Sequence, residues 1–187
     1  MPSPMVTVDG FGVPVEVAGP EKGSVVVLLA AAQKTPAAYE AVCQRLHTAS
    51  LKTVVIGLDP RLTSKSVVGI LDTLDIRWAL LVGDRLGGEL AWELAATRLD
   101  RFIGLVAIDR GHPRVADPAG VVRDEHCPPV ELNTTVLVSS SAARAVANAS
   151  QRFVYGEYRI VDLLGRRHAA DSTAQLAAEI VMRTSTW

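Results

Sequence analysis

The chain has 187 residues, 49% of them hydrophobic and 21% charged, which is enough for one sizeable core and predicts a single domain over 1–187. Its 19 basic and 20 acidic residues leave a net charge of −1, so nothing in the composition advertises a nucleic-acid or anionic-membrane partner. The longest apolar run, Val25–Ala32, is far too short to span a bilayer.

The opening MPSPMVTVDG has neither the basic nor the apolar region of a signal peptide. Cys43 and Cys127 lack metal or redox spacing, and Cys43 falls in a predicted helix as a small buried hydrophobe. A cytoplasmic protein with free thiols, and without a metal or cofactor, is expected.

In chain order, Met5–Val8 and Val13–Val17 alternate around Asp9-Gly10, which predicts an opening β-hairpin. Ser24–Ala30 is a continuous apolar stretch and reads as a strand covered on both faces. Thr35-Pro36 supplies a cap and a first-turn proline, and Tyr39, Val42, Cys43 and Leu46 recur at helical spacing. Thr53–Gly57 is the next buried strand, Asp59-Pro60 a turn, and Ser66–Leu74 a helix with Val67, Ile70, Leu71 and Leu74 on one face. A strand over Trp78–Val82 leads through glycines into a helix striped by Leu90, Ala91, Leu94 and Ala95. Phe102–Ile108 is again a buried strand, ending in Asp109-Arg110-Gly111-His112-Pro113.

Residues 114–131, rich in proline, glycine and charge, read as loop with at most a short helical turn. Thr134–Val138 is a strand, Ala142–Ala149 a short helix and Tyr158–Leu163 a last strand. Ser172-Thr173-Ala174-Gln175 has capping-box spacing and opens a final helix carrying Leu176, Ile180 and Val181. Strands alternating with helices predict a doubly wound α/β sheet, whose ligands bind beyond the carboxyl ends of the strands.

The most informative stretch is Trp78–Glu93, WALLVGDRLGGELAWE. An apolar strand runs through Gly83-Asp84-Arg85-Leu86-Gly87 into a helix, the layout of a G-x-S-x-G nucleophile elbow. The middle position holds Arg85. A guanidinium stays protonated in proteins and cannot attack a carbonyl.

With these pieces in this order the chain resembles the α/β-hydrolase fold family over nearly its whole length. The hairpin with VDG, the strand VVVLLAAA, TVVIGLDPR, the elbow VGDRLGGELAWELAA, FIGLVAIDRG and a late histidine carry the resemblance. It implies a mostly parallel sheet of about eight strands with an antiparallel N-terminal hairpin. Because only 114–131 is available between the sixth and seventh strands, it implies a minimal, lidless member. The resemblance also marks what is missing. Arg85 stands at the nucleophile position and Asp84 where a histidine usually precedes it. Ala30-Ala31-Ala32 stands where His-Gly shapes the oxyanion loop. Ser139-Ser140-Ser141-Ala142-Ala143, with no carboxylate, follows the seventh strand. Of the Ser–acid–His triad, only the histidine has a counterpart, His168.

No catalytic residue stands out; His168 and Asp109 are the candidates. Ligand-binding candidates are Arg85, Asp84, Leu86, Ala31, Ala32 and His168. His168 is equally readable as a loop residue beside Arg166 and Arg167. Asp109 can pair with Arg85 or simply form a turn, and the serines after the seventh strand read as loop. Arg85 can form an ion pair with Asp84 or Asp109, bind an anionic group with the helix-start amides, or let the turn relax to helical angles. The ion pair ranks first. Asp59-Pro60-Arg61 reads as a structural turn. His112 and His126 are expected at the surface, His47 at a helix end, and Trp78 and Trp92 in the core.

Three functional readings follow. The first is a catalytically degenerate α/β-hydrolase-fold protein, a pseudoenzyme, holding a partner or a small, anionic ligand at the old active site. The second is a working esterase-, lactonase- or lyase-type enzyme with His168 as base, aided by Asp109 and Arg85. The third is a structural module that assembles into homo-oligomers.

Overall fold

A computed structural model describes residues 3–164 and 169–185. Eight strands form one sheet in the order β1-β2-β4-β3-β5-β6-β7-β8. The strands are β1 (Ser3–Val6), β2 (Gly12–Ala18), β3 (Ser24–Leu29), β4 (Leu51–Ile56), β5 (Ala79–Asp84), β6 (Phe102–Ile108), β7 (Thr134–Val138) and β8 (Tyr158–Asp162). β1 and β2 pair antiparallel, as do β2 and β4; every other neighbouring pair is parallel. The helices are α1 (Glu40–Thr48), α2 (Ser64–Thr73), α3 (Leu86–Thr97), α4 (Ser141–Ser150) and α5 (Ala169–Thr184).

Parallel strands need crossovers, and these cover both faces of the sheet. Val27, Leu29, Val54, Leu81, Leu105, Ala107 and Val136 point to the face that packs α2, α3 and α4. Their alternates Val26, Leu28, Val55, Leu80, Val82, Val106 and Leu137 meet α1 and α5 through Val42, Cys43, Leu46, Leu176 and Ile180. Burying both faces is what turns the strand sequences into near-continuous apolar runs.

From β3 the chain steps outward to β4, then returns across β3 to β5 and proceeds the other way. That reversal opens a crevice beyond the carboxyl ends of β3 and β5, where a doubly wound sheet binds ligands. Among the described residues no helix is long and apolar enough to cross a membrane.

Several local expectations are corrected. β5 continues two residues past Val82, because Gly83 and Asp84 stay in register with Ala107 and Ile108 of β6. α5 begins at Ala169, so Ser172 lies within the helix and does not cap it. Its hydroxyl donates to the Leu164 carbonyl, and the Gln175 amide donates to Asp162 and accepts from the Leu164 N–H. Trp78 is 56% exposed, whereas Trp92 is fully buried with its indole N–H on the Arg110 carbonyl. His112, expected at the surface, is fully buried: it stacks on Phe153 and meets Trp92 edge-on. His126 is exposed, and His47 at the end of α1 contacts the Thr53 hydroxyl at 2.9 Å. The segment 114–131 contains turns and no helix.

Candidate functional site

The strand-to-helix turn between β5 and α3 is forced by its two glycines. A Cβ on Gly83 would stand 2.5 Å from the Gly88 Cα, and one on Gly87 would overlap the Leu29 carbonyl oxygen and lie 2.6 Å from that of Ala30. Only bare backbones can pass so closely. Arg85 sits at the apex with φ 52° and ψ −109°, near the first central position of a II′ turn, where glycine is the usual occupant. Its N–H donates to the Ile108 carbonyl at 3.0 Å, and its own carbonyl accepts from the Gly88 N–H at 2.8 Å. The turn has not relaxed to helical angles.

Around Arg85 the polar groups form one chain across four strand ends. The Ala31 N–H donates to the Tyr39 hydroxyl at 2.8 Å, which in turn donates to Asp84 Oδ2 at 2.7 Å. Burial, foremost, and the neighbouring Asp84 push the Tyr39 phenol well above its usual pKa, so it remains a donor. Asp84, whose side chain is 4% exposed, accepts from Arg85 Nη1 at 2.8 Å, with Lys34 Nζ 3.7 Å away. Arg85 Nε lies 3.9 Å from Asp109. Asp109 is itself bound on both oxygens by Ser139, through its N–H at 2.7 Å and its hydroxyl. Ser140 caps α4 by accepting from the Ala143 N–H. Ser139 and Ser140 are thus committed to Asp109 and to a helix start.

A second ionic group adjoins the first. Glu89, on α3, takes Arg110 Nε at 3.2 Å and Arg123 Nε at 3.4 Å on its two oxygens. Arg123 also donates to the Gly111 carbonyl at 2.7 Å, which ties the 114–131 loop to the site. This wall, with Leu86, separates two hollows. One, of about 860 Å³, runs along α3 past Ala32, Leu58, Leu62, Leu86, Leu90 and Pro113. The other, of about 550 Å³, is lined by Arg85, Asp109, Arg110, Pro118, Arg123 and the head of α4. Asp59, bonded to Arg61 and held down at a pKa of about 2 by it, borders the first hollow as a turn residue.

The structure thus brings Ala31, Ala32, Asp84, Arg85, Leu86 and Asp109 to one sheet edge, while His168 lies outside the described residues. Among the described residues no His, Cys, Asp or Glu cluster is arranged to hold a metal. Sequence reasoning missed Tyr39, Lys34, Glu89, Arg110 and Arg123. Glu89 alone had a signal, being one helical turn beyond Arg85.

No protein-family model matches the sequence, and no curated protein resembles it in sequence. Solved structures do resemble it in fold. An esterase from Exiguobacterium antarcticum superposes with a TM-score of 0.81 at 13% identity over 100% of both chains. Epoxide Hydrolase A from Mycobacterium thermoresistibile gives 0.76 at 11% over 98% of each. An alpha/beta hydrolase from Sphaerobacter thermophilus gives 0.74 at 15% over 98% of this chain and 100% of the other. The chain has the α/β-hydrolase fold, with an antiparallel N-terminal hairpin on an otherwise parallel sheet.

Proposed function

We propose that this chain is a catalytically degenerate protein of the α/β-hydrolase fold that binds a small ligand or partner group at the old active site. One observation carries the reading: Arg85 occupies the apex of an intact, strained elbow, where a hydrolase of this fold places its nucleophile. The surroundings support it. Ala31 spends its amide on Tyr39, and Asp84 and Asp109 flank the guanidinium. The Ser139 hydroxyl is held by a carboxylate and makes no contact with a described histidine. Backbone strain retained without a nucleophile, beside two hollows, suits a binding site kept in shape.

Incubating the purified full chain with short p-nitrophenyl esters and a fluorophosphonate probe tests the reading. Neither turnover nor labelling is expected. Turnover that persists through repurification and is lost in His168→Ala would instead support an enzyme using that histidine as base.

A further inference from the structure

Three arginines from separate parts of the chain line the 550 Å³ cavity: Arg85 at the head of α3, Arg110 after β6, and Arg123 on the loop before β7. Each is fastened along part of its edge. Arg85 commits Nη1 to Asp84. Arg110 commits Nε to Glu89 and Nη1 to the Asp109 carbonyl. Arg123 commits Nη2 to the Gly111 carbonyl and places Nε by Glu89. Among the described residues this leaves Nη2 of Arg85, Nη2 of Arg110 and Nη1 of Arg123 without an acceptor.

The carboxylates around the same cavity each hold at least one protein donor. Asp109 gives both oxygens to Ser139, and Asp117 turns Oδ1 to the Ala119 and Val121 N–H groups of its own loop. Glu89 alone serves both Arg110 and Arg123, so that pair of cations is half neutralised. Burial pushes the Arg123 guanidinium below its usual pKa, as expected of a cation deprived of solvent. Formal charge around the cavity balances, so recognition rests on short-range donors and not on long-range attraction.

We propose that this cavity binds a phosphate monoester, with the free edges of Arg85, Arg110 and Arg123 around its head group and the organic body filling the remaining space. A carboxylate offers two oxygens and suits one fork. A phosphate head offers three terminal oxygens and suits donors arriving from three sides. The cavity is also far larger than a bare ion. This rests on the reading of the old active site as a binding site and names the chemistry of its ligand.

The test is calorimetric titration of the full chain, at constant ionic strength, with phenyl phosphate, inorganic phosphate and benzoate. Saturable binding is expected in the order phenyl phosphate, phosphate, benzoate, tightest first. Arg85→Gln and Arg110→Gln should each weaken phenyl phosphate about tenfold or more, since each removes a charge-assisted donor. Arg110→Lys, which keeps the charge and loses the fork, should fall between, and a urea curve checks that each variant folds. Absence of phenyl phosphate binding overturns the proposal. So does benzoate binding as tightly, or affinity unchanged in both Gln variants. Those results leave the absence of ester turnover standing. Ester turnover would defeat the binding-protein reading whatever the phosphates do.

Discussion

Replacing Arg85 by Gly and, separately, by Ala measures the strain stored at the apex of the elbow. Both variants lose the 2.8 Å bond to Asp84, so that loss cancels between them. Alanine must still adopt φ 52° and ψ −109°, a region costing a residue with a Cβ about 1–3 kcal/mol. Glycine escapes that cost and gives back about 0.4–1 kcal/mol through its freer unfolded chain. The glycine variant should therefore be more stable than the alanine variant by about 0.5–2 kcal/mol. Relative to the parent, Arg85→Ala should lose about 1 kcal/mol, because Arg85 is 45% exposed and solvent takes over part of its interaction. Urea denaturation with a shared m-value reads both differences. An Arg85→Gly variant no more stable than Arg85→Ala would refute the strained elbow.

Gly87→Ala should cost about 3 kcal/mol or more in urea denaturation, because its methyl group would overlap the Leu29 carbonyl. Gly88→Ala, whose Cβ would stand 3.2 Å from the Gly83 carbonyl, should be tolerated far better in the same assay. Tyr39→Phe strips the hydroxyl from both the Ala31 N–H and Asp84, and should lower the urea stability by about 1–3 kcal/mol. His112 accepts the Arg114 N–H on Nδ1 and so carries its proton on Nε2, donating it to the Pro128 carbonyl at 2.7 Å. Burial lowers its pKa from 6.5, so the folded state favours the neutral ring. The stability it contributes is complete above the unfolded pKa and is lost as pH falls through the lowered folded value. Between about pH 7.5 and about pH 5 the parent should lose more stability than His112→Asn, as read by urea midpoints.

Much of the fold was legible because both sheet faces are covered. Phe102–Ile108 carries no polar side chain and Thr134–Val138 no charged one, and both became strands with those bounds. The end of β5 was not legible: Gly83 and Asp84 look like turn residues, yet their backbones remain paired to β6. A capping-box spacing misplaced the start of α5, since spacing alone cannot say whether a helix has already begun upstream. Trp78 and His112 went to opposite environments from those expected. Burial of a single aromatic or imidazole depends on which loop folds over it, and His112 is covered by the segment reaching Pro128.

At the site, glycines at positions 83 and 87 revealed the elbow and placed Arg85 at its apex. Tyr39 was hidden in a helical stripe; its hydroxyl acts on Asp84, 45 residues away. The Glu89–Arg110–Arg123 group is spread over a helix and two loops, and only the fold brings it together.

Intact-protein mass spectrometry of the full chain after prolonged exposure to a fluorophosphonate probes most directly whether any serine of this chain acts as a nucleophile. With Arg85 at the apex and the Ser139 hydroxyl held by Asp109, an unchanged mass is predicted. A stoichiometric adduct, mapped to Ser139 or to any other serine, would contradict the account.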